Sequence, residues 1–316
     1  MTILLRPSGL KDLMEGKDVV FEIGFGNGDF LLYLRRQYPE ALLVGAEVAN
    51  KYFLIAHRKL EREGIRNFAL YRGDGRTLLY FFAPDNSIDA IYINFPDPWE
   101  KPSKESKRLV SVDSIKVYYS RLKRKGHLFI TIDSDLLKDY LRRTLNNLNV
   151  PFTESLVSPF GDFLTKYGRK WLSLNKPISY FIIEKQDDSF FDLSGSCESF
   201  MPNFIFYVRE EVDCELERIG KIIPLEHKEG DFFYKIDKIY RSLDGEVLFR
   251  VIHSEPFLNQ KYYIVFRIFE GKGYMEIDDK NGLIISRSVI KTFRDLALRI
   301  FRECGKEMIF KNFGEV

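Results

Sequence analysis

The sequence predicts an α/β protein: a mostly parallel sheet covered by helices over residues 1–185, then an antiparallel α+β unit over residues 186–316. Three observations carry this. Short β-branched apolar runs alternate with amphipathic stretches in the first part, the pattern that builds βαβ units. Those runs are nearly continuous rather than alternating, so both faces of the sheet are buried. From residue 186 the chain turns polar in "KQDDSFFDLSGSCESFMPN", and the strands beyond it are short, aromatic and separated by turns.

The elements follow in order. "KDVVFEIG" reads as the first strand, and "DFLLYLRRQYP" as a helix with Leu31, Leu34 and Tyr38 on one stripe. "ALLVGAEV" is the second strand, "KYFLIAHRKLERE" the second helix and "RNFALYRGD" the third strand. "SIDAIYINFPDPW" is the fourth strand; "KRLVSVDSIKVYYSRLK" is a helix closed by Gly126. "GHLFITID" and the helix "SDLLKDYLRRTLNNL" complete the series. In the second part "NFIFYVRE", "FFYKIDKIYRS", "EVLFRVIHSE", "KYYIVFRIFE", "GYMEIDD" and "GLIISR" read as strands, with turns at "SLDGE" and "DKNG". "SVIKTFRDLALRIFRECG" closes the chain as a helix.

Composition narrows the class. The chain has 316 residues, 45% hydrophobic and 30% charged, as expected of a soluble globular protein with room for two domains. No stretch approaches the roughly 20 apolar residues of a membrane span, and "MTILLRPSGLKDL" is too short and interrupted for a signal peptide. Cys197, Cys214 and Cys304 lack metal or disulfide spacing, and His57, His127, His227 and His253 are scattered, so no metal is expected and the cytoplasm is the expected compartment. Residues 1–185 carry 29 Lys+Arg against 22 Asp+Glu, a net +7 that leaves −5 for the remainder. The first part is therefore the one suited to meet a polyanion.

Parallel sheets bind ligands at the carboxyl ends of their strands. The first strand ends in Glu22-Ile23-Gly24-Phe25-Gly26-Asn27-Gly28, where glycines let the backbone turn and a ligand approach. The spacing is GxGxG rather than the dinucleotide GxGxxG, and Glu22 would repel a pyrophosphate. Both features argue against a nicotinamide-dependent oxidoreductase and suit the cationic amino-acid end of S-adenosylmethionine. Glu47, ending the second strand, can accept ribose hydroxyl protons; Asp74, ending the third, lies in reach of an adenine edge.

The fourth strand ends in Phe95-Pro96-Asp97-Pro98-Trp99. Two prolines hold Asp97 on a stiff turn beside the point where the cofactor's methyl should project. In a generic way this resembles the NPPY-type turn of methyltransferases that act on ring nitrogens. Taken with "FEIGFGNG", "GAEV", "INFPDPWEKPSKESKRLV", "TID" and "TKYG" in this order, residues 18–185 resemble bacterial tRNA (guanine-N7-)-methyltransferase. The resemblance implies a Rossmann-like class I methyltransferase fold, S-adenosylmethionine as cofactor and tRNA as partner, with methylation at guanine 46 of the variable loop. It implies cofactor contacts at Glu22, Glu47, Asp74 and Asp97, with Asp97 also catalytic. It implies substrate contacts at Lys101, Asp133, Thr165, Lys166, Tyr167 and Gly168, the last standing where the family carries a glutamate.

Charge supplies the remaining expectations. Lys101, Lys104, Lys107 and Arg108 follow the turn and suit RNA phosphates, as do Arg121, Lys123, Arg124 and Lys125, and Lys166, Arg169 and Lys170 beside Trp171. Phe232, Phe233, Tyr262 and Tyr263 read as core packing of the second sheet. A non-catalytic RNA-binding module would fit the basic runs, but Glu47 and Asp74 are both retained. No motif assigns a chemistry to residues 186–316.

Overall fold

The protein is described by a computed structural model covering residues 2–64, 66–191, 193, 202–209, 220, 223–278 and 282–313. It divides into two compact units, residues 1–194 and 195–316.

The first unit is a Rossmann-like sheet of eight strands: β1 (Thr2–Leu4), β2 (Val19–Ile23), β3 (Leu42–Glu47), β4 (Phe68–Arg72), β5 (Ile88–Asn94), β6 (Leu122–Ile132), β7 (Thr153–Ser155) and β8 (Ser179–Glu184). Its order is β1-β4-β3-β2-β5-β6-β8-β7, parallel through β6, with β8 antiparallel to β6 and β7 antiparallel to β8. The order reverses between β2 and β5, the position where open α/β sheets form a ligand crevice. β2 and β3 are buried at every position, which is why their apolar runs do not alternate.

Helices α1 (Leu10–Met14), α2 (Asp29–Gln37), α3 (Asn50–Arg62), α4 (Gly75–Phe82), α5 (Val112–Arg121), α6 (Asp135–Asn147) and α7 (Lys166–Ser173) connect the strands. α2 buries Phe30, Leu31 and Leu34 in a core that also holds Phe53, Leu60, Tyr92 and Phe160. Three helices carry a serine or threonine cap at their first turn: Ser111 on α5, Ser134 on α6 and Thr165 on α7. Such a cap satisfies one of the amides a helix start leaves unpaired. α5 begins at Val112 rather than at Lys107, because Ser111 caps it. Gly126 does not close that helix. It lies inside β6, where a Cβ would sit 2.8 Å from the Lys123 carbonyl and 3.0 Å from those of Asp89 and Ile88, and the β5–β6 register shifts between Ile88 and Ala90.

The second unit is a fully antiparallel seven-stranded sheet: β9 (Asn203–Val208), β10 (Leu225–Glu229), β11 (Phe232–Arg241), β12 (Val247–Glu255), β13 (Leu258–Phe269), β14 (Lys272–Asp278) and β15 (Gly305–Asn312), in the order β10-β11-β12-β13-β14-β9-β15. α8 (Arg287–Cys304) packs Val289, Ile290, Phe293, Leu296, Ala297 and Ile300 into its core.

Two expectations are corrected here. "GLIISR" forms no extended strand: both backbone groups of Ile284 bond to the Gln260 side chain, at 2.8 and 3.0 Å, and Ser286 starts α8 as its cap. The chain also continues past the helix into β15, which pairs with β9. Of the four aromatics assigned to the core, Tyr262 is buried in it and Phe232 packs against it, whereas Phe233 and Tyr263 lie at alternate positions and are half-exposed. Cys304 is buried; Cys197, Cys214 and most of "DKNG" lie outside the described residues. Among the described residues no helix is long and apolar enough to cross a membrane, and no cluster of His, Cys, Asp or Glu could hold a metal.

Candidate active site

The acids and the glycine loop meet at the carboxyl ends of β2, β3 and β4. Gly24, Gly26 and Gly28 all have positive φ, at 76°, 51° and 79°, a region other residues enter at a cost. A Cβ on Gly24 or Gly26 would enter open space, whereas one on Gly28 would lie 2.9 Å from the Ala56 Cβ. The first two glycines thus leave backbone bare toward the crevice, and the third lets α2 pass α3. Glu47, 8% exposed, accepts the Gly26 amide at 3.0 Å and the Ala49 amide at 2.8 Å. Each of its oxygens keeps a lone pair for a further donor.

Glu22 is 2% exposed, and its Oε2 has no hydrogen-bond partner. Burial pushes its carboxyl up to about 8, against a downward pull from the facing Asn94 amide and with smaller repulsion from Glu47 and Asp29. A buried carboxylate without a partner is costly, and a cation placed beside it removes that cost. The glycine loop and this orphaned oxygen fit a ligand whose nearest group is an ammonium. Asp74 is more committed. It caps α4 by accepting the Arg76 amide and holds the Arg76 guanidinium at 2.6 Å. Arg76 reaches on to the carbonyls of Ser106 and Arg108, and so ties Asp74 to the segment that follows the FPDPW turn.

That turn is strained. Phe95 and Trp99 both have positive φ, 54° and 39°, unusual for bulky residues and typical of functional turns. The Phe95 amide bonds the Thr131 carbonyl at 2.8 Å. Asp97, between the two prolines, is exposed, and its carboxylate makes no bond or ion pair among the described residues. Lys101 and Lys107 are exposed beside it, and the ammoniums of Lys104 and Lys107 lie 5.1 and 5.5 Å from the Trp99 ring.

Arg108 does not join that patch. It is 5% exposed, donates to the carbonyls of Pro98 and Trp99 at 2.9 and 3.2 Å, and lies over the Tyr140 ring. Its role is to brace the turn from beneath. Arg121 is likewise buried, bonded to the carbonyls of Leu79 and Tyr80 and paired with Asp85, and Lys123 pairs with Asp89. Neither presents a free cation to a polyanion.

The "TKYG" segment comes to the same place. Thr165 caps α7 by accepting the Gly168 amide at 3.0 Å, and Tyr167, 52% exposed, has its ring centroid 6.3 Å from that of Phe95. Lys166, Arg169 and Lys170 are exposed on α7. Asp133, just past β6, pairs with Lys176 at 3.3 Å; Lys176 in turn lies 4.1 Å from the centroid of Trp171. Sequence reasoning missed Arg76 and Lys176, gave no part to Asn94, and placed Arg108 among the phosphate contacts; the parts of all four depend on register and burial.

The family described as "Putative methyltransferase" matches residues 16–180, just over half of the chain. A tRNA (guanine-N(7)-)-methyltransferase of Thermotoga maritima is 30% identical over 263 residues, 83% of this chain and 82% of its own. The chain belongs to the tRNA (guanine-N7-)-methyltransferase family. A member of the family from Aquifex aeolicus is 25% identical over 91% of this chain and 96% of its own, and one from Deinococcus radiodurans is 35% identical over 51% and 50%. The Thermotoga and Aquifex matches are longer than the first unit, so the second unit has counterparts in this methyltransferase family.

Proposed function

We propose that the protein transfers a methyl group from S-adenosylmethionine to N7 of a guanine in tRNA, at position 46 of the variable loop. The observation that carries this is an unpaired carboxylate, Asp97, on a strained turn across the sheet's switch point from the glycine loop and Glu22. Bound S-adenosylmethionine would supply an electrophilic methyl on a sulfonium. Glu22 suits its ammonium, Glu47 its ribose hydroxyls, and the Asp74 turn its adenine, with Gly24, Gly26 and Gly28 shaping the loop.

Guanine N7 carries an in-plane lone pair and no proton, so the reaction needs no general base. Asp97 acts by position and field: it accepts hydrogen bonds and stabilises the positive charge that grows on the purine. Tyr167 and Phe95 offer ring faces to a base taken out of its stack. Lys101, Lys104 and Lys107 after the turn and Lys166, Arg169 and Lys170 on α7 suit the flanking phosphates, and Asp133, Thr165 and Gly168 are proposed as further substrate contacts. Thr165 shapes this edge by capping α7.

The test is mass spectrometry of nucleosides from tRNA incubated with the enzyme and methyl-labelled cofactor. The expected product is labelled 7-methylguanosine that disappears when position 46 is changed from guanine. Label in another nucleoside, or none, would overturn the proposal.

A further inference from the structure

Asn94 ends β5 directly before the FPDPW turn, and nothing so far gives its side chain a part. Register places it. Glu22 pairs with Tyr92 across β2 and β5, so Asn94, two residues further along, lies on the same face as Glu22 and level with Gly24. On its other side Asn94 pairs with Thr131 of β6. Glu22 and Asn94 therefore flank the switch point of the sheet from its two central strands.

The hydrogen bonds give Asn94 a direction. The Thr131 hydroxyl, on a residue 2% exposed, donates to Asn94 Oδ1 at 2.9 Å. The amide oxygen is thereby occupied, and Nδ2 is left as a buried donor with no partner. Beside it Glu22 Oε2 is a buried acceptor with no partner. Asn94 faces Glu22 closely enough to act on its carboxyl as a hydrogen-bond donor, which lowers it, but the contact falls short of full hydrogen-bond geometry, and an amide nitrogen with two N–H groups keeps one for a ligand in any case. Buried polar groups in folded proteins are almost always satisfied, and two complementary orphans side by side point to a ligand that satisfies both. A fixed neutral donor next to a carboxylate matches an α-amino acid: the carboxylate takes the ammonium and the amide takes the carboxylate.

We infer that Asn94, oriented by Thr131, is a further binding residue that donates to the α-carboxylate of the methyl donor while Glu22 receives its ammonium. This rests on the reading of the donor as S-adenosylmethionine. No step of methyl transfer passes through Asn94; its contribution is affinity and orientation of the donor's amino-acid end. A residue that merely tuned Glu22 would act through the ammonium alone, and this difference makes the two roles separable.

The experiment is calorimetric titration of the full-length protein with S-adenosylhomocysteine and with S-adenosyl-3-thiopropylamine, which keeps the ammonium and lacks the carboxylate. Asn94→Ala should weaken S-adenosylhomocysteine about tenfold or more, the loss expected for one hydrogen bond to a charged group, and leave the decarboxylated ligand within about twofold. Glu22→Gln should weaken both. Thr131→Val, which keeps Asn94 and removes only the hydroxyl that orients it, should reproduce the selective loss in smaller degree and guards against an Asn94 variant that does not fold. Equal losses for the two ligands, or no loss for either, would overturn the inference while leaving the donor assignment standing. Failure of the unsubstituted protein to bind S-adenosylhomocysteine would overturn both.

Discussion

Asp97 and Glu22 are both carboxylates without a hydrogen-bonded counter-charge, and their surroundings give them opposite behaviour. Asp97 stands in solvent on a turn stiffened by two prolines, so its value lies in where it is held. Asp97→Asn keeps the shape and removes the charge; turnover should fall by roughly two to three powers of ten, as for loss of one preorganised electrostatic group, with tRNA affinity largely retained. Single-turnover rates and tRNA titration check this together, and normal turnover would remove the role given to it. Glu22 is sealed in, and its carboxyl is raised from 4.5 to about 8. Between those values the folded chain holds a proton that the unfolded chain has released, so stability falls as pH rises through the window, by up to about 1.4 kcal/mol per pH unit. Melting temperatures of the ligand-free enzyme should decline from pH 5 to pH 8, and Glu22→Gln should flatten the decline; parallel profiles would count against the assignment. The placement of the acids at strand ends was legible in sequence because each follows a readable apolar run. Asn94 and Thr131 were not, since only register shows that they meet, and Arg108 was misread because a basic run looks the same whether it faces solvent or props up a turn.

Glycines at two helix starts carry opposite consequences. Gly28 precedes α2 with φ 79°, and a Cβ there would lie 2.9 Å from the Ala56 Cβ of α3. Gly28→Ala should therefore lose about 2 to 4 kcal/mol, combining the left-handed backbone penalty with overpacking between helices. Gly168 sits in the first turn of α7, and the nearest atom to an added Cβ is Thr165 Oγ1 at 3.4 Å, an ordinary contact. Gly168→Ala should gain about 0.5 to 1 kcal/mol from helix propensity. Urea unfolding of the two variants measures both signs, and a stabilised Gly28→Ala would refute the account of the loop. Some elements that sequence reading missed have identifiable physical causes. α4 is only eight residues long and buried nearly all round, and so short an apolar run does not tell helix from strand, although Asp74 directly before it is a cap signal. β10 and β15 are edge strands with mostly exposed residues, and edges carry little apolar pattern. "GLIISR" misled in the other direction, because two buried isoleucines resemble a strand when a side-chain amide, Gln260, is in fact the backbone partner.

At the scale of the whole molecule, the two units have separate cores: one around Phe30, Phe53 and Tyr92, the other around Phe249, Phe266 and Phe293. The composition changes near residue 186, and the two units meet in sequence between residues 194 and 195. Beyond β8 the chain still holds to the first unit. Lys185 is fully buried, with its ammonium on Asn86 Oδ1 at 2.6 Å; the Asn86 amide bonds the Asp188 carbonyl at 3.3 Å; and the Phe191 amide bonds the buried Ser120 hydroxyl at 2.9 Å, its ring edge-on to Tyr119. Polar composition marked these residues as linker, whereas the Phe191 amide on Ser120 and the Phe191 ring on Tyr119 make them a cover for α5. A chain ending at residue 185 would strip that cover from Tyr119 and Ser120 and leave the Ser120 hydroxyl without its donor. One ending at residue 194 would keep it. The difference, about 1 to 2 kcal/mol from the hydrogen bonds and the ring contact, corresponds to about 3 to 6 °C for a unit of this size. We therefore expect residues 1–194 to melt above residues 1–185 by that margin and to bind S-adenosylhomocysteine as the full chain does. Identical melting temperatures would show that residues 186–191 contribute nothing to the first unit, and would return the boundary to the point where the composition changes.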